Sequence, residues 1–198
     1  MNGTTSTTNL TGTTSAGRPR WIVFVGLAAA VVIVDQLTKA WLASVLDPGE
    51  RLAVLGDLLR ITHSQNSGAL FGLFKDQALL FGLVSIGVVG LIVWYHRSSG
   101  RNALVSVALG LLLGGAIGNM IDRFRVGYVV DWVDIGIGDI RFYTFNVADS
   151  AITGAILLLL LLALLPDRSR QSAVAKPGIG PDVGSEVGPD VGPEVADA

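Results

Sequence analysis

Four aspartates fall within the stretch GYVVDWVDIGIGDIRFYTFNVADSAI, residues 127 to 152, among valines, isoleucines and aromatics. Asp131 stands in YVVDWVD, an apolar setting where an unpaired carboxylate is costly. Asp149 directly precedes the apolar run SAITGAILLLLLLALL, where an Asp can cap a helix by accepting its orphan backbone N–H groups. For Asp149 alone, capping is the better reading; bringing the two carboxylates together explains both. Two negative charges ~4 Å apart repel by about 4 kcal/mol at an effective dielectric of about 20, equivalent to roughly three pKa units. Such a pair holds one proton between its members. One carboxylate can then take a proton from water while the other donates to a carbonyl, the division of labour of aspartic proteases, with no covalent intermediate. Asp134 and Asp139 read as solvated loop residues, with a turn in DIGIGD.

Other polar residues punctuate apolar runs. In VVIVDQLTKAW, Asp35 and Lys39 lie four apart and share one face of a helix, so they can pair, which softens the cost of charge in lipid. A structural ion pair and support of a site are both open there. Asn119 and Asp122 in GGAIGNMIDRF are three apart on one helical face, with Arg123 following, and fit a polar helix end equally well. Asn66 and Gly68 in HSQNSGALFG fit a turn.

Four apolar segments must position these residues: roughly Trp21–Leu46, Ala78–Tyr95, Ala103–Ile121 and Ser150–Leu165. Each is near the ~20 residues that cross a ~30 Å hydrocarbon core as a helix. The sequence therefore predicts a mainly α membrane protein, a four-transmembrane-helix bundle over residues 21–166, with outer loops at about 47–77 and 122–149. The first outer loop alternates in part around Gly56-Asp57 and predicts a small extracytosolic β-hairpin or sheet. Gly110, Gly114 and Gly118 recur every fourth residue, a small-xxx-small pattern whose simplest role is close helix packing. The Thr/Ser-rich residues 1–20 and the Pro/Gly/Val/acidic residues 167–198 read as disordered tails.

Four spans place the first and third loops, and with them all the unusual polar residues, on one face. Arg18 and Arg20, the short loop with Arg97 and Arg101, and Arg168, Arg170 and Lys176 make the other face cytoplasmic by the positive-inside bias; the outer loops carry Arg51, Arg60, Lys75, Arg123, Arg125 and Arg141, so the orientation rests on density close to the membrane and not on the raw count. The expectation is a multi-pass cell-membrane protein with both termini cytoplasmic and its site towards the extracytosolic face.

Bulk composition narrows the chemistry. At 198 residues, 51% hydrophobic and 15% charged, with a mean hydropathy of +0.58, the chain is too apolar for a soluble domain of its size. It has no cysteine and only His63 and His96, so thiol nucleophiles and the usual zinc ligand sets drop out; no metal and no cofactor are expected. A net charge of -2 leaves no basic footprint for nucleic acid.

Taken in order, DQLTK (35–39), NSGALF (66–71), GNMIDR (118–123), VVD (129–131) and FNVAD (145–149) across four apolar spans resemble the lipoprotein signal peptidase family, signal peptidase II, over roughly residues 21–165. The resemblance implies an intramembrane aspartyl peptidase whose catalytic dyad is Asp131 and Asp149. It implies cleavage of the signal peptide of a diacylglyceryl-modified prolipoprotein just before the lipidated cysteine, and inhibition by the cyclic peptide globomycin. Asp35, Lys39, Asn66, Gly68, Asn119, Asp122, Arg123, Asn146 and Ala148 match positions that line or support the site, and Gly114 and Gly118 match family glycines near it.

Two other readings compete. A Ser/Lys peptidase would use Lys39 as base and Ser67 or Ser150 as nucleophile. A small channel or transporter subunit would need polar positions through the full membrane depth, which the inner halves of the second, third and fourth spans barely supply.

Overall fold

The computed structural model describes residues 18–68 and 77–165. Both expected tails, apart from residues 18–20, and Ala69 to Phe71 of the NSGALF motif lie outside the described residues. Four helices are long and apolar enough to cross a membrane: α1 (Trp21–Val45), α2 (Ala78–Ser99), α3 (Ala103–Arg125) and α4 (Val147–Leu164). Their 18 to 25 residues correspond to about 27–37 Å at 1.5 Å per residue.

Helix α3 is central, packing against α1, α2 and α4. Its glycines make this possible. A Cβ on Gly110 would come within 2.8 Å of the Phe24 carbonyl oxygen, and one on Gly114 within 2.7 Å of Val31 Cβ, so the α1 backbone lies directly against these positions. Phe24, Ala28, Ile92, Leu109 and Leu113 form the buried apolar core between the helices. Asn102 caps α3, its Oδ1 accepting from the amides of Leu104 and Val105 at 2.9 and 3.4 Å.

The expected hairpin forms from β1 (Arg51–Leu55) and β2 (Leu59–Asn66), turning at Gly56, whose φ of 53° suits a residue without Cβ. The sheet is larger than expected. The second outer loop supplies β3 (Val129–Ile137) and β4 (Ile140–Arg141), giving an antiparallel order β1-β2-β3-β4. Asp131 pairs in register with Ser64 of β2. The far end of this sheet is tied by Asp57, which accepts from Arg60, Arg141 and the Gly138 amide.

Three expectations need correction. Helix α3 keeps Asp122 to Arg125 helical, so the second outer loop is narrower than 122–149; Gly127, at φ 81°, lets the chain leave the helix and enter β3. Helix α4 begins at Val147, so Asp149 lies in its first turn, and the position before the helix belongs to Asn146. Asp134 is not solvated: it is 5% exposed and pairs with Arg141 Nε at 2.7 Å. Asp139 does fall in the turn joining β3 to β4.

Candidate active site

The end of α1, the end of α3, the start of α4 and the sheet converge at one end of the bundle. Asp35 and Lys39, one turn apart on α1, are both buried and bonded at 2.8 Å. Lys39 Nζ also meets Asp122 Oδ2 at 2.8 Å and donates to Asn119 Oδ1 at 3.2 Å. Asp35, Asp122 and Asn119 thus give the Lys39 nitrogen three acceptor partners, as many as an ammonium has donors.

The carboxylates of this cluster in turn hold backbone. Asp35 Oδ1 accepts from the Ala148 amide at 3.0 Å, fixing the first turn of α4, and Asp122 Oδ2 accepts from the Val130 amide at 3.2 Å, fixing β3 one residue before Asp131. Gln36, which sequence patterning did not single out, donates to Asp122 Oδ1 at 3.0 Å and lies within 3.2 Å of both Asp35 Oδ2 and the Gly118 carbonyl. A polar side chain beside Asp35 in an apolar run was the signal for it. Gly118 is required at its place: a Cβ there would sit 2.7 Å from Asp35 Oδ2.

Above this base stand the two remaining acids and three asparagines. Asn146 is fully buried. Its Nδ2 donates to Asp131 Oδ1 at 2.7 Å and reaches Asn119 Oδ1 at 3.1 Å, while its backbone amide donates to Asp149 Oδ2 at 3.3 Å. Asn66 donates to Asp131 Oδ2 at 3.0 Å, and Asn119 to Asp149 Oδ1 at 2.8 Å. Asn66 Oδ1 also accepts from the Gly68 amide at 3.2 Å, an Asx turn at the end of β2. All eleven residues singled out in the sequence are therefore gathered into one region.

Burial, reinforced by the charge of Asp149, pushes the Asp131 carboxyl up to about 7; the hydrogen bonds from Asn66 and Asn146 and the Lys39 charge oppose this. Asp131 is thus divided between acid and carboxylate at neutral pH. Tyr143 was not anticipated either. Partial burial and the charges of Asp149 and then Asp131 push its hydroxyl upward, so it keeps its proton as a donor.

A cavity of about 320 Å³ opens onto Asp149, with Asn66, Asn119, Arg123 and Tyr143 as polar wall and Phe81 and Ile152 as apolar wall. Arg123 donates to the Asn119 carbonyl at 3.1 Å and lies 5.8 Å from the Phe81 ring centre. Among the described residues no group of His, Cys, Asp and Glu is arranged to hold a metal ion. At the opposite end of the bundle His96 stacks on Phe24, with its Nε2 3.1 Å from Ser106 Oγ.

The family described as "Signal peptidase (SPase) II" matches residues 27–165. A lipoprotein signal peptidase of Caulobacter vibrioides is 39% identical over 80% of this chain and 95% of its own length, and one of Geobacillus kaustophilus is 44% identical over 67% and 87%. A bacterial membrane enzyme solved by the in meso method at 2.3 Å resolution superposes with a TM-score of 0.69 at 29% identity, over 81% of this chain and 95% of that one. With that breadth of match, the chain belongs to the signal peptidase II family and is a multi-pass membrane peptidase of the aspartic type.

Proposed function

We propose that this protein removes the signal peptide from diacylglyceryl-modified prolipoproteins, cleaving before the lipidated cysteine, with Asp131 and Asp149 as a water-activating dyad. The observation that carries the reading is Asn146, which holds one oxygen of each carboxylate, at 2.7 and 3.3 Å, beside a cavity that Asp149 lines.

The chemistry follows from one shared proton. The ionised carboxylate takes a proton from water, whose oxygen attacks the scissile carbonyl carbon, while the protonated one donates to the carbonyl oxygen. The tetrahedral intermediate then collapses as the cysteine nitrogen receives a proton from the dyad and leaves as an amine. An Asp131 poised near neutrality suits both halves of this cycle. Asn66, Asn119 and Asn146 orient the acids; Asp35, Lys39 and Asp122 brace the backbones that carry them, through Ala148 and Val130. Arg123 faces the cavity as a donor for substrate carbonyls, and Gly68, its amide held by Asn66, forms part of the cavity wall.

The site lies where α3 ends and α4 begins, at the depth of a bond presented near a membrane surface by a lipid-anchored substrate. With Arg20, Arg97 and Arg101 at the other end of the bundle, the positive-inside bias makes that other end, and both termini, cytoplasmic and the site extracytosolic. Membrane lipid is the medium of the reaction, and globomycin is expected to compete for the cavity. A Ser/Lys mechanism is disfavoured by the engagement of Lys39 with Asp35, Asp122 and Asn119.

The test is cleavage of a diacylglyceryl-modified prolipoprotein by the detergent-purified enzyme. Asp131→Asn and Asp149→Asn should each lose nearly all activity, and Ser150→Ala should retain it. Wild-type rates from either Asn variant would remove the dyad.

A further inference from the structure

A second cavity, of about 420 Å³, lies on the other side of Tyr143. Both cavities are lined by Tyr143 and Asp149, so they adjoin at these two residues. Their chemistry differs. The first sets Asn66, Asn119 and Arg123 against an apolar wall of Phe81 and Ile152. The second is bounded by Phe142 and Phe145 from the segment before α4, and by Thr153, Gly154 and Leu157 of α4 itself. Thr153, Gly154 and Leu157 are exposed, on a helix face turned away from the bundle and towards lipid. A Cβ on Gly154 would meet nothing within 4 Å, so the space beside the helix is open at this point.

We propose that this apolar groove seats one acyl chain of the substrate's diacylglyceryl group, while the polar cavity takes the peptide, with Tyr143 as the divider between them. The inference rests on the prolipoprotein reading above. A cysteine bearing its lipid on sulfur must present a peptide and two apolar chains to one catalytic point. Two cavities sharing Asp149, the first carrying the asparagines and Arg123 and the second more apolar and opening onto the exposed Thr153, Gly154 and Leu157 of α4, meet that demand. Because lipid tails are as apolar as the groove, the gain is in packing and placement: the chain sets where the cysteine nitrogen sits relative to Asp149.

The experiment uses the full chain in detergent-lipid micelles and a diacylglyceryl prolipoprotein carrying a diazirine midway along one acyl chain. Photolysis should label residues 142–157, and excess unlabelled prolipoprotein should suppress that labelling. Gly154→Leu, which fills the groove, should lose the label and lower kcat/KM by on the order of tenfold, with the loss in kcat, because the cysteine nitrogen is no longer held at Asp149. Gly90→Leu, a similarly open glycine on α2, should change neither. Cleavage of the probe with labelling elsewhere overturns the acyl site and leaves the peptidase reading standing. Equal labelling of 142–157 by a diazirine phospholipid, uncompeted by substrate, identifies bulk lipid and also overturns it. A probe that the wild-type enzyme does not cleave removes the prolipoprotein reading, and this inference with it.

Discussion

Asn146 and Asp149 close a reciprocal ring at the start of α4: the Asp149 amide donates to Asn146 Oδ1 at 2.9 Å, and the Asn146 amide donates to Asp149 Oδ2 at 3.3 Å. This is the geometry of a capping box with Asn and Asp in the two roles. It reconciles two readings of Asp149, because one carboxylate oxygen serves the helix end while the other meets Asn119. The same Asn146 side chain donates to Asp131, so stability of the helix start and alignment of the acids depend on one residue.

Asn146→Ala should therefore lower both stability and activity. Loss of the cap costs about 1 kcal/mol, read as a fall in thermal midpoint in detergent. Asn146→Ser keeps a capping oxygen and cannot reach Asp131. It should recover most of the midpoint and little of the activity; recovery of both would show that the Asn146–Asp131 bond is dispensable.

Asp131 makes stability depend on pH in a defined direction. Its folded value near 7 lies above the ordinary 3.8, so between about pH 4 and 7 the folded chain holds a proton that the unfolded chain has released. The stabilisation is complete below that window and is lost as pH rises through 7, by about 4 kcal/mol in all for a group only 1% exposed. Asp131→Asn removes the titration. Its thermal midpoint relative to wild type should rise from pH 4 to about pH 7 and then level off, and a difference constant across that range would contradict the assignment.

The parts of the site legible in sequence were those where physics forbids the bland alternative. Asp35 and Lys39 in one apolar helix needed partners, and Asp131 among valines and Trp132 needed a reason to be charged. The four spans followed from hydropathy alone. Strand β3 was hidden because YVVDWVD reads as an apolar connector until β2, more than sixty residues earlier, is known to lie beside it. Asp134 was misjudged for the same cause, since Arg141 reaches it only through the β3–β4 turn. Gln36 is marked only by its place beside Asp35, and its bonds to Asp122 and Gly118 come from another helix; Tyr143 is a single polar residue that no spacing marks.

The buried ion cluster gives an asymmetric prediction. Lys39→Met leaves Asp35 and Asp122, 0% and 1% exposed, facing each other without a cation, which should cost about 3–5 kcal/mol. Adding Asp35→Asn and Asp122→Asn to that variant removes the stranded charges and should restore much of the thermal midpoint. A single variant as stable as wild type would mean that the cluster does not brace α1 against α3.

Two glycine-to-alanine changes should move in opposite directions. Gly26 on α1 has open space where a Cβ would go, so Gly26→Ala should gain about 0.5–1 kcal/mol from backbone restriction. At Gly118 the new methyl would stand 2.7 Å from Asp35 Oδ2 and 3.3 Å from Ala148 Cβ. Asp35 must then shift away from the Ala148 amide, and Asp149, the next residue, shifts with it. Gly118 does not line the polar cavity, so Gly118→Ala should lower kcat by on the order of tenfold to a hundredfold through misplacement of the acid while KM changes little. A loss expressed in KM alone would place the damage in substrate binding and break the link from Asp35 through Ala148 to Asp149.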